Sequence, residues 1–179
     1  MEFNKTYDVT IVNTTRDDLD IIFWLFEQAM DLQGKNGYKV WNQIDKIALQ
    51  KDIENGLQFK IVNDNSILGI FSIQHNDPFI WRDRDQHDAI YLHRIVANPN
   101  FKGQKLFEKV LNWAKQFAQQ NHLKFVRMDT WAGNKKIIDY YKSFGFKFIE
   151  NYTTADEPEL PVQNRNLNMA LLEMELDNV

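Results

Sequence analysis

Residues 90–120 read IYLHRIVANPNFKGQKLFEKVLNWAKQFAQQ, and this stretch decides the fold. Residues 90–97 are apolar and β-branched enough to predict a buried strand, and Asn98-Pro99-Asn100 reads as a tight connection. A long helix is expected from about Gly103. It rests on Leu106, Phe107, Val110, Leu111, Ala114, Phe117 and Ala118, whose three- and four-residue steps draw one apolar stripe. A strand that feeds a helix through a short basic turn is a ready anion site. The first amides of a helix have no acceptor within it and lie at the positive end of its dipole; here Lys102 and Lys105 add full charges beside them.

Outward from that stretch, residues 10–13 predict a first strand, and Thr14 to Asp18 supply caps for a helix running to about Leu32. A second helix is expected over 44–55, with Gly56 at its left-handed cap position. Residues 57–62 and 66–75 read as a hairpin turning at Asn63-Asp64-Asn65, and 77–88 as a charged loop. Beyond the central helix, strands are expected over 124–130, 146–151 and 166–176. A helix over 134–144, stopped by Gly145, separates the first two of these. The order β, α, α, β, β, β, α, β, α, β, β predicts an α/β fold, one mixed sheet with helices on both faces, in a single domain over 1–179.

The segment Asp129-Thr-Trp-Ala-Gly-Asn134 has an apolar residue three past its Asn (Ile137), a tyrosine seven past it (Tyr141), and Gly145-Phe146 eleven past it. With Ala97-Asn98-Pro99 and Phe101-Lys102-Gly103, this spacing resembles the GCN5-related N-acetyltransferase (GNAT) superfamily, enzymes that use acetyl-coenzyme A. The resemblance covers residues 91–148 and implies a GNAT-like fold whose central sheet is splayed. It departs from the family at the pyrophosphate loop, usually Arg or Gln, Gly, any residue, Gly, any residue, and Gly or Ala. Here those positions are Lys102, Gly103, Gln104, Lys105, Leu106 and Phe107, and only the first glycine is kept. A right-handed helical turn would still present its amides if the Lys105 and Phe107 side chains point away from the phosphates.

The resemblance implies an acetyl-CoA-dependent N-acetyltransferase acting on a primary amine of a small molecule or protein by direct attack. Backbone groups of Ile95, Val96 and Ala97 would hold the pantetheine arm, the loop 102–107 the phosphates, and Asn134 the pantetheine; as a plain reading, Asn134 caps its helix. Tyr141 would be the general acid, since a phenol with a pKa near 10 keeps its proton at neutral pH and can give it to a departing thiolate. Tyr140, one hundred degrees round the helix, should point elsewhere. For the base, Asp129 stands where the family's ribosomal-protein alanine acetyltransferases carry Glu. His93 is its rival, with a suitable unperturbed pKa, and alternation puts it on one face with Tyr91, Ile95 and Ala97. Attack by the neutral fraction of the amine with no base is the third option. Trp81, Asp83, Asp85 and Trp131, with Tyr38 to Trp41 and the loop 153–165, are the expected acceptor wall, suited to a cation if the aromatics are more than core.

A chain of 179 residues with a hydrophobic share of 44% can bury a single core. Its net charge of -4 argues against nucleic acid as a partner. With no cysteine, disulfides, thiolate metal ligands and a cysteine nucleophile are excluded, and no metal site is expected. The N-terminus lacks the pattern of a secretory signal, and no apolar run is long enough for a bilayer, so a cytoplasmic protein without membrane contact is expected. A homodimer stays open. The competing reading is a catalytically weak acyl-CoA-binding or sensor module of the same fold, prompted by the missing glycines. A P-loop reading of Gly103 fails for want of a Gly-Lys-Ser/Thr ending.

Overall fold

The computed structural model describes residues 8–37, 41, 43–64 and 66–177. Seven strands, β1 (Thr10–Asn13), β2 (Gln58–Asn63), β3 (Ser66–Gln74), β4 (Ala89–Ala97), β5 (Phe125–Trp131), β6 (Lys147–Thr153) and β7 (Asn168–Glu175), form one sheet in the order β1-β2-β3-β4-β5-β7-β6. Only β4 and β5 run parallel; every other neighbouring pair is antiparallel. The helices are α1 (Leu19–Lys35), α2 (Lys46–Glu54), α3 (Pro78–Trp81), α4 (Leu106–Gln120) and α5 (Lys135–Ser143). The expected order of elements holds, with α3 an addition inside the charged loop.

Successive strand residues face opposite sides, and the packing follows that alternation. On β3, Ile70 packs with Ile22, Leu25 and Phe26 of α1 and Leu49 of α2. Its neighbour Phe71 joins Val110, Leu111 and Ala114 of α4. Helices therefore cover both faces. Gly69 shows how tightly β3, β4 and α4 meet: a Cβ there would lie 2.8 Å from the Val96 carbonyl oxygen and 3.2 Å from Leu106 Cδ1.

Two local features depart from the expected regular elements. The β3–β4 register runs Ile70↔Val96 and then Ser72↔His93, so Arg94 and Ile95 together oppose Phe71, and Arg94 takes φ 50°. This is a β-bulge, which turns a strand and re-aims its side chains. Ile95 consequently packs with the α4 cluster while Arg94 reaches Asp52 of α2. The expectation that His93 and Ile95 share a face is corrected by the bulge; His93 and Tyr91, opposite Ser72 and Gln74, do share one.

The second departure is the turn before α4, which begins at Leu106 rather than near Gly103. Gly103 has φ 76°, and Lys105 is a left-handed N-cap at φ 50° and ψ 43°. The expected right-handed turn is thus replaced by a left-handed residue at the position where the family pattern has its second glycine. Lys105 adopts a glycine-like backbone with a lysine side chain, which costs roughly 1–2 kcal/mol. Phe107, at the position of the third glycine or alanine, is 7% exposed. Its ring centroid lies 4.8 Å from Tyr141, 5.0 Å from Phe144 and 6.3 Å from Phe146, so it forms the floor under α5.

These two residues should respond in opposite directions. Lys105→Gly is expected to raise the unfolding free energy by about 0.5–1 kcal/mol through relief of the left-handed strain. Phe107→Ala should lower it by about 3–5 kcal/mol by opening the aromatic floor. Urea unfolding of both variants checks the pair.

Candidate active site

The β4–β5 ladder pairs Ala89↔Phe125 through Leu92↔Met128 and then stops, although β5 continues beside β7 as far as Trp131. From His93 to Ala97, β4 therefore pairs along one edge only, with β3. A cleft of about 950 Å³ opens there, and Ile95, Val96, Ala97, Asp129, Asn134 and Tyr141 all line it. Backbone amides and carbonyls need partners. This length of β4 presents them to the cleft.

At one mouth of the cleft stand Lys102, Gly103, Gln104, Lys105, Leu106 and Phe107. The N-cap Lys105 makes no side-chain cap to the first turn of α4. Lys102 and Lys105 are exposed, with Lys105 Nζ 3.8 Å from Glu108. Asn134 caps α5 by accepting the Ile137 amide at 3.2 Å, as its plain reading expected. Tyr141 lies half-buried on α5. Burial and the neighbouring Tyr140 and Asp129 push its phenol pKa up, so it holds its proton at every physiological pH. Tyr140 also lines the cleft, contrary to expectation, because the aromatic floor of Phe107 supports both rings, and it is 42% exposed.

His93 and Asp129, which line the cleft, form a buried charged cluster of three with Asp77. His93 Nε2 lies 3.1 Å from Asp77 Oδ2 and His93 Nδ1 lies 3.4 Å from Asp129 Oδ2, with all three side chains close to nine-tenths buried. The two oxygens face the ring as ion-pair partners without the alignment of a directed hydrogen bond. Burial alone would lower the His93 pKa, but the Asp77 and Asp129 carboxylates overcome it and raise the ring to about 9. His93 is thus an imidazolium at neutral pH. Burial raises Asp129, the His93 charge holds it down and Asp77 pushes it up, leaving it at about 6. The three titrate as one coupled unit.

Asp77 was not visible as a site residue in the sequence. It sits sixteen positions before His93 in a loop of mixed charge, and only the β3–β4 pairing brings the two together. Its place is fixed by Asp85, whose Oδ2 accepts the Asp77 amide at 2.9 Å while Oδ1 accepts the Tyr91 hydroxyl at 2.7 Å. Arg94 was missed as well, although a second polar residue beside His93 in an otherwise apolar strand is a usable signal of a bulge.

The expected acceptor wall is only partly assembled. Trp81 is fully buried, with the Arg127 guanidinium 4.9 Å from its ring centre, and neither it nor Asp83 nor Asp85 lines the cleft. Arg127 explains this. It donates to Glu173 Oε2 at 2.8 Å and to the Arg84 carbonyl at 2.7 Å, drawing the α3 loop into the core. Trp131 and Trp41 do line the cleft, together with Gln163 and Arg165 of the β6–β7 loop. Tyr38 to Val40 fall outside the described residues. Among the described residues, no helix is long and apolar enough to cross a membrane.

Comparison with known proteins places this geometry. The model of the acetyltransferase (GNAT) family matches residues 24–146. The uncharacterized N-acetyltransferase YesJ of Bacillus subtilis is 27% identical over 141 residues, spanning 74% of this chain and 78% of that protein. A GNAT-family acetyltransferase of Listeria monocytogenes superposes with a TM-score of 0.77 at 20% identity, over 95% of this chain and 96% of the other. Spermidine N-acetyltransferase of Vibrio cholerae, solved with CoA and spermine, gives a TM-score of 0.64 at 14% identity, over 95% and 96%. A sheet that parts between β4 and β5, and a family match across both strands, lead to one conclusion: the chain belongs to the GNAT acetyltransferase family and is an N-acetyltransferase.

Proposed function

We propose that the protein moves an acetyl group from acetyl-CoA to a primary amine, with Asp129 as base and Tyr141 as acid. The observation that carries this reading is that both side chains line the one cleft into which the unpaired edge of β4 faces. Their protonation states are also complementary: Asp129, with a pKa of about 6, is ionised at neutral pH, and Tyr141 is not. Two titratable groups driven to opposite states by their surroundings fit a base and an acid.

The residues present fit acetyl-CoA. The backbone of Ile95, Val96 and Ala97 would hold the pantetheine arm, with the remaining hydrogen-bonding capacity of Asn134 on its other side. The first amides of α4, with Lys102, Gly103, Gln104 and Lys105, would hold the phosphates, because a left-handed Lys105 keeps the backbone path that a glycine would take. Acetyl-CoA supplies the acetyl thioester. Asp129 takes the proton that the attacking amine sheds as its nitrogen bonds to the carbonyl carbon. Tyr141 gives its proton to the sulfur as the carbon–sulfur bond breaks and recovers one from solvent. A backbone amide of the open β4 edge would stabilise the developing negative charge on the carbonyl oxygen, typically worth about 3 kcal/mol per donor.

His93 enters this reading as a charge, since an imidazolium with a pKa of about 9 has no vacant nitrogen with which to accept a proton at neutral pH. Its positive charge keeps Asp129 ionised at a depth where burial would otherwise protonate it. The protein amine and the small-molecule amine both remain within this reading.

The pH dependence of kcat/KM tests the assignment of Asp129. Activity should rise with pH through about 6, because Asp129 must lose its proton to act as base. Asp129→Asn should abolish that limb and lower kcat roughly 10²–10⁴-fold. An unchanged limb in the variant would remove Asp129 from the role. Tyr141→Phe separately tests the acid, with kcat expected to fall about a hundredfold while KM for acetyl-CoA stays within about twofold. A variant that raises KM at constant kcat would make Tyr141 a binding residue only.

A further inference from the structure

Two half-buried side chains that line the cleft carry buried N–H groups that meet no partner among the described residues. Arg94 pairs one Nη with Asp52, yet its Nε and its other Nη are unpartnered, and its side chain is 10% exposed. Gln163, on the 3₁₀ turn Val162–Asn164 between β6 and β7, accepts the Asp45 amide through Oε1 at 3.2 Å and leaves Nε2 unpartnered. Both residues line the cleft. Asp45 links them: its amide donates to Gln163 and its carboxylate acts on the Arg94 charge. An unpaired buried donor costs about 1–3 kcal/mol, so each of these three donor nitrogens calls for a partner.

Their position relative to the chemistry narrows that occupant. Arg94 follows His93 in the bulge, and its left-handed backbone is what turns its side chain to the same side as His93. Strain of this kind collects where a side chain must be aimed. His93 in turn touches Asp129, so the donors stand one residue away from the cluster that holds the proposed base. The site supplies donors without surplus positive charge, because Asp52 already neutralises the guanidinium and Asp45 adds a further negative charge nearby. A neutral oxygen suits it better than an anion.

We propose that Arg94 and Gln163 form a subsite for a carbonyl oxygen of the acceptor, and that the acceptor is an α-amino amide, either an amino-acid amide or the N-terminus of a peptide. This rests on the acetyl-transfer reading only for the location of the amine; the oxygen site itself is argued from the unpartnered donors. In the subsite, Gln163 Nε2 and the unpartnered Arg94 N–H groups, which are covered in this structure, turn into the cleft and donate to the carbonyl, which holds the amine toward Asp129. The preference is for an amine with an adjacent carbonyl over the same amine without one.

Phenylalaninamide carries a carboxamide on the carbon where phenethylamine has only hydrogen, and phenylalanine carries a carboxylate in that place. Titration of CoA-saturated protein with each, alongside steady-state acetyl transfer, reads the subsite twice. The wild type should bind phenylalaninamide at least about tenfold more tightly than phenethylamine. Gln163→Glu keeps the oxygen that accepts the Asp45 amide and replaces the free N–H donor; Arg94→Lys keeps a charge opposite Asp52 and removes the planar donors. In either variant, checked by thermal melting for retained folding, the phenylalaninamide-to-phenethylamine ratio should fall about tenfold in binding and in kcat/KM. Equal binding of the two amines by the wild type, or an unchanged ratio in both folded variants, overturns the subsite and assigns the donors to buried water. Tighter binding of phenylalanine than of its amide overturns the choice of a neutral carbonyl. Selective binding of the amide without any acetyl transfer would sustain the subsite and defeat the acetyl-transfer reading instead.

Discussion

The separation of β4 from β5 after Leu92 and Met128 is the constraint on which the rest of the molecule depends. Two parallel strands that stayed paired would satisfy each other's backbone groups and leave no room between them. Here β5 turns to follow β7, β4 is held by β3 alone, and a cleft forms in the middle of the sheet rather than at its edge. Because the groups on offer are backbone amides and carbonyls, the same geometry is available to many sequences, which is consistent with low identity among proteins that superpose well on this one. The bulge at Arg94 belongs to the same local distortion.

Electrostatics inside that cleft is a matter of balance among three groups. A carboxylate exposed to solvent would be ordinary, and a buried carboxylate alone would be protonated. Asp129 is kept between those limits by an imidazolium, and the imidazolium is kept charged by a second carboxylate, Asp77. The chain reaches this arrangement through long-range packing: Arg127 draws the α3 loop inward, Asp85 fixes the Asp77 backbone, and β3–β4 pairing sets His93. Close enough to feel the Asp129 charge, Tyr141 is supported by Phe107, so a position where the family pattern has a small residue here contributes an aromatic floor.

Much of this could be read from the chain beforehand. The apolar stripe of α4, the strand before it and the spacing from Asn134 to Phe146 identify the fold because they are local and periodic. Gly56 as a left-handed residue after α2 was legible for the same reason. The features that escaped are set by contacts between distant segments or by single dihedral angles. Alternation cannot foresee a bulge, so it puts Ile95 on the wrong face. Composition cannot foresee that Lys105 takes a left-handed backbone, so the apolar stripe alone starts α4 too early. Trp81 looked available for a ligand because its loop is charged, but a stacked guanidinium beneath it makes it core.

The central claim is that the opened edge of β4 and the uncapped start of α4 form a donor site despite two missing glycines. Isothermal titration of the purified protein with acetyl-CoA, with ATP as a control for simple phosphate affinity, tests it most directly. The account predicts saturable binding of acetyl-CoA in the micromolar range, about 7–8 kcal/mol, with ATP bound far more weakly, since only acetyl-CoA has an arm to pair with Ile95, Val96 and Ala97. Absence of acetyl-CoA binding up to millimolar concentration, or equal binding of ATP, would contradict it.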